Sequence, residues 1–177
     1  EHAVNNSREA LARRLAESAS QRRLLEGVAH IFGLEAPPER IEVYDNSHIR
    51  GNAALGGMIV AGAEGLIKNQ YRKFNIKQKD LTPGNDYGMM TEVLTRRFAR
   101  LLREDEARKS QHWPDLVLID GGIGHMHTAQ HVFADLGITD VGLAAIAKGP
   151  HRNAGQETFH VQGKEAFSLE PNDPVLY

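Results

Sequence analysis

The sequence predicts an α/β fold built on a mixed sheet, with an antiparallel meander joined to parallel strands and helices on both faces. Three observations carry that prediction. Three strand-like runs follow one another between residues 40 and 77 with short links, the pattern of a meander. Two further apolar runs, 115–120 and 141–149, flank one helix-like segment, and a strand–helix–strand crossover implies parallel pairing. A long helical segment comes before all of them, cut off by Pro37-Pro38.

Each element has its own warrant. Over residues 6–33, Ala10, Leu11, Leu15, Ala19, Leu24, Leu25, Val28 and Ile31 recur at helical spacing, and Gly33 is a stop. Residues 40–47 form the first strand candidate. "ALGGMIVAG" (54–62) is the second, with glycines that weaken it or mark a bulge. Residues 66–77 alternate at Tyr71, Phe74 and Ile76 and read as a third strand. After Pro83-Gly84, a helix is expected from Asp86 to Arg103. Met90, Val93, Leu94, Phe98, Leu101 and Leu102 line one side of it, and an aspartate at its start suits the helix dipole. "DLVLID" (115–120) is a buried strand, followed by a glycine turn and a helix from His125 to Asp135 that ends near Gly137. "VGLAAIAKG" (141–149) is another buried strand, and residues 156–169 read as a hairpin.

At 177 residues the chain is long enough for one domain with a sizeable core, and its 41% hydrophobic and 25% charged content is that of a globular protein. The absence of cysteine excludes a disulfide scaffold and any thiolate metal site, and it fits a reducing, cytoplasmic setting. No apolar run approaches the roughly 18 residues needed to cross a bilayer, so no membrane role is expected. A formal net charge of −2 means that nucleic-acid binding must rest on local clusters. The expected organisation is a leading helix over 1–35 packed on a domain over 36–177, the whole being part of a longer protein and cut short at its C-terminus.

Two apolar runs each deliver a lone aspartate: Asp45 in "IEVYDNSHIRG" and Asp120 in "PDLVLIDGGIG". An aspartate in that position is a turn former or helix cap as readily as a ligand. Two carboxylates brought together repel, and a divalent cation is the usual remedy. Oxygen donors with a partly open shell suit Mg²⁺ or Mn²⁺, which retain waters and bind phosphates. From the residues alone, the structural and metal-binding readings stand even. The order of elements resembles the ribonuclease H-like fold, in which the first and fourth strands are parallel neighbours. That resemblance implies that Asp45 and Asp120 leave adjacent strands at one sheet edge.

"RIEVYDNSHIRG", "YRKFNIK", "TPGNDYGMMTEVLTRRF", "PDLVLIDGGIG", "IAKGPHRNAGQE" and "PNDPVLY" occur in this order. Together they resemble the C-terminal endonuclease region of the UvrC family, the incision subunits of bacterial nucleotide excision repair. The resemblance covers nearly the whole chain, including the leading "QRRLLEGVAHIFGL". It implies a metal-dependent endonuclease that cuts damaged double-stranded DNA on the 5′ side of the lesion. It also implies DNA-loaded UvrB as partner, with UvrA acting upstream. Asp45 and Asp120 fall on the family's metal-binding aspartates. The family's third catalytic residue, a histidine after "DPVLY", is expected beyond Tyr177, so the activity of this segment alone is an open question. Asn85 stands where the family usually has an acid, and His125 and His127 where it often has Lys or Gln.

Other residues carry paired readings. Ser47 is expected to form a turn, and His48 to hold that turn by a hydrogen bond or to approach the metal. Lys68, Arg72, Lys73, Lys77 and Lys79 interleave with Tyr71 and Phe74, as a phosphate-tracking strand or as a lysine-protected edge; Arg72 and Lys73 are the candidate DNA contacts. Lys148 is a candidate for the scissile phosphate. Gly121 and Gly122 are expected to supply backbone freedom beside Asp120. Glu157 is a candidate outer acid, and His125, His127 and His131 a weaker candidate metal patch. Arg96, Arg97, Arg100 and Arg103 are expected to form a solvated face paired with Glu92, Glu104 and Asp105. Two alternatives stay open: an endonuclease V-like repair nuclease, to be told apart with inosine-containing duplex against bulky adducts, and a non-catalytic DNA-binding or docking module, to be told apart by Mn²⁺ titration.

Overall fold

Alternation along "RIEVY" sets the centre of the molecule. Arg40, Glu42 and Tyr44 point to one face of a strand, and Ile41 and Val43 to the other, so two charged side chains and a phenol are carried into the core by period-two geometry. In the computed structural model, residues 2–49, 53–76, 86–147, 157–161 and 166–168 are described. The elements are α1 (His2–Phe32), β1 (Arg40–Ile49), β2 (Ala53–Gly62), β3 (Gly65–Leu66), a 3₁₀ turn (Lys68–Gln70), β4 (Arg72–Asn75), α2 (Asp86–Glu104), β5 (Leu116–Asp120), α3 (Ile123–Leu136), β6 (Gly142–Ala147) and β7 (Thr158–Val161).

They form one mixed sheet in the order β3-β2-β1-β5-β6-β7, with β4 also paired to β2. The pairs β1–β2, β2–β4 and β6–β7 are antiparallel, whereas β1–β5 and β5–β6 are parallel. This is the expected sheet, including the parallel neighbours contributed by the first run and by 115–120. A bridge from Phe159 to Phe167 supports the expected C-terminal hairpin.

Two elements differ from expectation. The third strand is not continuous over 66–77: β3 stops at Leu66, the chain makes a 3₁₀ turn over 68–70, and β4 resumes at Arg72. Only the aromatic positions had kept the expected alternation going. Phe74 is buried in the core, and Tyr71 packs against that core from the connecting turn. The first strand runs on to Ile49, and Ser47 and His48 pair with Leu55 and Ala54. The turn expected at Ser47 is therefore absent; the β2 ladder satisfies that backbone instead.

α2 and α3 cover one face. Val93, Leu94, Phe98 and Leu101 of α2 meet Met126, Ala129, Val132 and Phe133 of α3 over Tyr44, Met58, Val60, Val117 and Ile119. Phe98 meets Phe133 edge-on at 4.8 Å between ring centroids. α3 ends as its residues dictate: Gly137 takes φ +70°, and the N–H of Ile138 reaches the Phe133 carbonyl at 2.8 Å. The other face is covered differently. Residues 3–20 of α1 are exposed, and the end of that helix is what meets the sheet, with Ala29 buried and Phe32 edge-on to Phe159 at 6.0 Å.

The arginine face of α2 divides. Arg96 pairs with Glu92 at 3.8 Å and Arg100 with Glu104 at 2.8 Å, both at helical i,i+4 spacing, as expected for exposed pairs. Arg97 is the exception. It is 4% exposed and its Nη2 donates to Glu42 Oε2 at 3.0 Å, while Glu42 is fully buried. The expectation of a solvated Arg97 fails because position 97 falls on the apolar stripe with Val93, Leu94 and Leu101, where a charge survives only with a partner. Among the described residues Asp105 pairs with no helix arginine either; it caps the following turn through Ser110 and Lys109.

Candidate active site

The last pair between β1 and β5 is Tyr44 with Ile119, and both of those side chains are buried under α2 and α3. One residue further along each strand stand Asp45 and Asp120. Because side chains alternate, both carboxylates leave by the opposite face, from backbones about 4.8 Å apart, the ordinary strand spacing. Asp45 is exposed and Asp120 half-buried. Asp45 does not end its strand, since β1 continues four residues further; Asp120 does end β5.

The row containing these acids can be followed across the sheet. Lys73 pairs with Gly57 and Gly57 with Asp45, while on the other side Asp120 pairs with Ile146 and Ile146 with Phe159. Paired residues share a face, so Lys73 stands on the side of the acids, with a glycine between it and Asp45. A Cβ on Gly57 would meet nothing nearer than the Asp45 carbonyl at 3.7 Å, so this stretch of sheet is low and open. Arg72, the other expected DNA contact, pairs with Met58 on the core face and reaches solvent at the edge. The two neighbours therefore serve different faces.

Behind Asp120 the chain turns directly into α3. Gly121 extends the sheet ladder by donating to the Ile146 carbonyl at 2.9 Å, and Gly122 is the N-cap with φ −92° and no side-chain cap. Neither glycine takes a positive φ. For Gly121 the expected role as a source of backbone freedom gives way to one of space, whereas a Cβ on Gly122 would meet nothing within 4 Å. A Cβ on Gly121 would fall on the His125 imidazole, and one on Gly124 would fall on the Tyr87 ring and hydroxyl. Tyr87 and His125 pack against each other with centroids 4.8 Å apart and planes tilted by 59°. Glycine runs beside chemistry invite a phosphate-loop reading; which side chains they admit becomes visible only when α2 is folded over the turn.

Beneath the acids lies a buried ionic cluster. Arg40 Nε donates to Glu42 at 2.9 Å, Arg97 donates to the same carboxylate, and the Tyr44 hydroxyl donates to its other oxygen. Burial, then the Glu42 charge, push the Tyr44 hydroxyl well above the ordinary phenol range. Burial pulls Arg97 down, but hydrogen bonding and charge from Glu42 outweigh it and the guanidinium ends up raised. This cluster locks β1 to α2 one residue short of Asp45. Sequence reasoning missed Glu42; the signal was its place between two apolar residues in "RIEVY" with an arginine two positions before it.

The remaining candidates are scattered. Glu157 is half-buried at the start of β7, on the rim where β6 ends. His127 and His131 are exposed on α3, and among the described residues no group of three or more His, Asp or Glu gathers as a metal site, so the histidine patch does not form there. Lys148, Asn85, Lys77, Lys79 and the "PNDPVLY" segment lie outside the described residues, as do the side chains of Ser47 and His48. Among the described residues no helix is long and apolar enough to cross a membrane.

Comparison with known proteins gives a family. The family model described as "UvrC RNAse H endonuclease domain" matches residues 29–177. The chain is 64% identical over 177 residues to UvrABC system protein C of Paramagnetospirillum magneticum, covering 100% of this chain and 28% of that protein. It is 59% identical to the Caulobacter vibrioides protein of the same name, with the same coverage. The chain thus spans 28% of the length of these curated relatives. Among solved structures, an endonuclease V of Ciona intestinalis in complex with inosine-containing DNA matches with a TM-score of 0.43 at 18% identity, over 63% of this chain and 47% of that one. Human ENDOV matches with a TM-score of 0.42 at 18% identity, over 72% and 49%.

Proposed function

The chain belongs to the UvrC ribonuclease H endonuclease domain family, and from that premise we propose that it makes the 5′ incision in damaged double-stranded DNA during bacterial nucleotide excision repair. Asp45 and Asp120 are its metal-binding catalytic pair, and DNA-loaded UvrB, with UvrA upstream, is its partner in the cytoplasm. The observation that supports this reading is the parallel register of β1 and β5, paired up to Tyr44 and Ile119, one residue before each acid.

The residues fit a divalent cation. Both donors are carboxylate oxygens, Asp45 is exposed, and the neighbouring Gly57 leaves the approach clear. Two protein ligands with room around them suit Mg²⁺ or Mn²⁺ better than a closed structural site. Such an ion, when bound, supplies Lewis-acid activation of water and neutralises charge on the phosphate. The chain's own residues do the rest. Asp45 and Asp120 would hold the ion, and its charge would offset their mutual repulsion. Tyr44, Glu42, Arg40 and Arg97 fix the β1 backbone so that the first acid cannot drift. Lys73, on the same face across Gly57, receives the phosphodiester backbone.

Titration of Mn²⁺ into the chain tests the pair directly. Saturable binding is expected, lost in Asp45→Asn and in Asp120→Asn; no binding at millimolar metal would leave a docking module as the better reading. Lys73 has its own signature. Lys73→Ala should lower the slope of log affinity against log salt by about 0.7–0.9, the loss of one phosphate contact. Arg72→Ala should change it less, because Arg72 leaves from the other face. Equal slopes for both variants would remove Lys73 from the site.

A further inference from the structure

Tyr87 lies on the first turn of α2 and His125 on the first turn of α3, so two helices that start at different points of the chain bring their rings together above the turn that follows Asp120. The tyrosine ring is 52% exposed, which is unusual for an aromatic residue next to the core of a helix pair. Its position is nonetheless defined. One side rests on His125, and the hydroxyl end occupies the space that a Cβ on Gly124 would need. His125 in turn occupies the space above Gly121, the residue directly after Asp120. Among the described residues, no protein hydrogen bond takes up the Tyr87 hydroxyl or the His125 ring.

We infer that Tyr87 is a strand-seating residue. Braced by His125 and admitted by Gly124, its exposed ring and hydroxyl stand on the helix side of the turn after Asp120 and take a flanking nucleotide where the strand crosses that rim of the sheet from the face of the two acids. The ring is held in place and half open, so little side-chain freedom is lost when a nucleotide packs on it. An aromatic face accepts any base, so the contact is independent of sequence, as a nuclease directed to damage rather than to sequence requires. A glycine at 124 costs helix stability relative to alanine, and nothing in its backbone φ requires it. The space it leaves for Tyr87 gives it a purpose. This inference rests on the nuclease reading and adds to it the surface that holds the strand.

The test uses single-turnover incision by the full-length protein on a lesion-bearing duplex presented by its DNA-loaded partner. Tyr87→Ala is expected to raise the half-saturating protein concentration roughly tenfold, the scale of losing one aromatic–nucleotide contact, with a smaller loss of maximal rate. Tyr87→Phe, which keeps the ring, should recover most of the difference. Gly124→Ala should reproduce Tyr87→Ala by pushing the ring aside, while leaving the melting temperature equal or higher because alanine favours the helix. The double variant should be no worse than either single one. Unchanged saturation in Tyr87→Ala, or effects of the two substitutions that multiply, would overturn the inference. Asp45→Asn in the same assay separates the two levels. If it is inactive while Tyr87→Ala behaves normally, the strand-seating role alone falls; if it cuts normally, the nuclease reading falls first.

Discussion

Asp45→Ala and Asp120→Ala in the full-length protein are expected to reduce 5′ incision by about 10³-fold or more, the scale of removing a group that acts on the transition state. Folding should survive both changes. Asp45 is exposed and Asp120 half-buried, and neither side chain belongs to the buried cluster beneath them. The stability response sharpens the test. Two carboxylates one strand apart repel in the absence of metal, so Asp45→Asn should melt at or slightly above the parent temperature without added cation. The parent should gain stability on adding Mn²⁺ by mass action, and the variant should not. Thermal melts with and without Mn²⁺, run beside the incision assay, check this. Incision at parental rates by a well-folded variant would remove the acids from the mechanism.

Arg97→Ala is expected to lower stability by about 3–5 kcal/mol, because it strips a partner from the fully buried Glu42. At roughly 2–4 °C per kcal/mol for a chain of this size, the melting temperature should fall by about 10 °C. Arg40 still faces Glu42 at 2.9 Å, but it enters from the strand end and cannot replace the link to α2. The double variant Glu42→Met/Arg97→Met should recover much of the loss, since removing a buried pair together costs far less than leaving one charge behind. Chemical denaturation of the parent, Glu42→Met, Arg97→Met and the double variant measures the coupling. A small effect of Arg97→Ala would mean that Arg40 alone holds the carboxylate. Because the cluster ends one residue before Asp45, Arg97→Ala should also slow incision in protein that remains folded at the assay temperature.

Much of the architecture was legible because apolar periodicity reports burial directly. The runs at 54–62, 115–120 and 141–149 read as strands and are β2, which starts one residue earlier, β5, which starts one later, and β6, which starts at Gly142, residues 148 and 149 lying outside the described ones. The helix over 86–103 is α2, one residue longer. Where legibility failed, a local signal pointed the wrong way. Tyr71, Phe74 and Ile76 alternate as a strand does, yet Tyr71 belongs to the link after the 3₁₀ turn and packs inward from there. Arginine every three or four residues looks like a solvated face until one of them meets a buried acid from another strand. Arg97 and Glu42 are 55 positions apart, and no window of sequence contains both.

By itself the sequence determined that the chain folds as a mixed α/β sheet, that two strand-like runs each carry an aspartate open to a ligand or a turn reading, and that its ordered motifs belong to one family of nucleases. These are properties of local pattern: residue type, spacing and the order of segments. Only the tertiary structure decided that Asp45 and Asp120 share a face, that Lys73 joins them there while Arg72 does not, that Glu42 and Arg97 form a buried pair, and that Gly121 and Gly124 make room for two aromatic rings. The reason lies in register. A slip of one residue turns every side chain of a strand to the other face, and what fixes register here is pairing between segments that the chain keeps far apart.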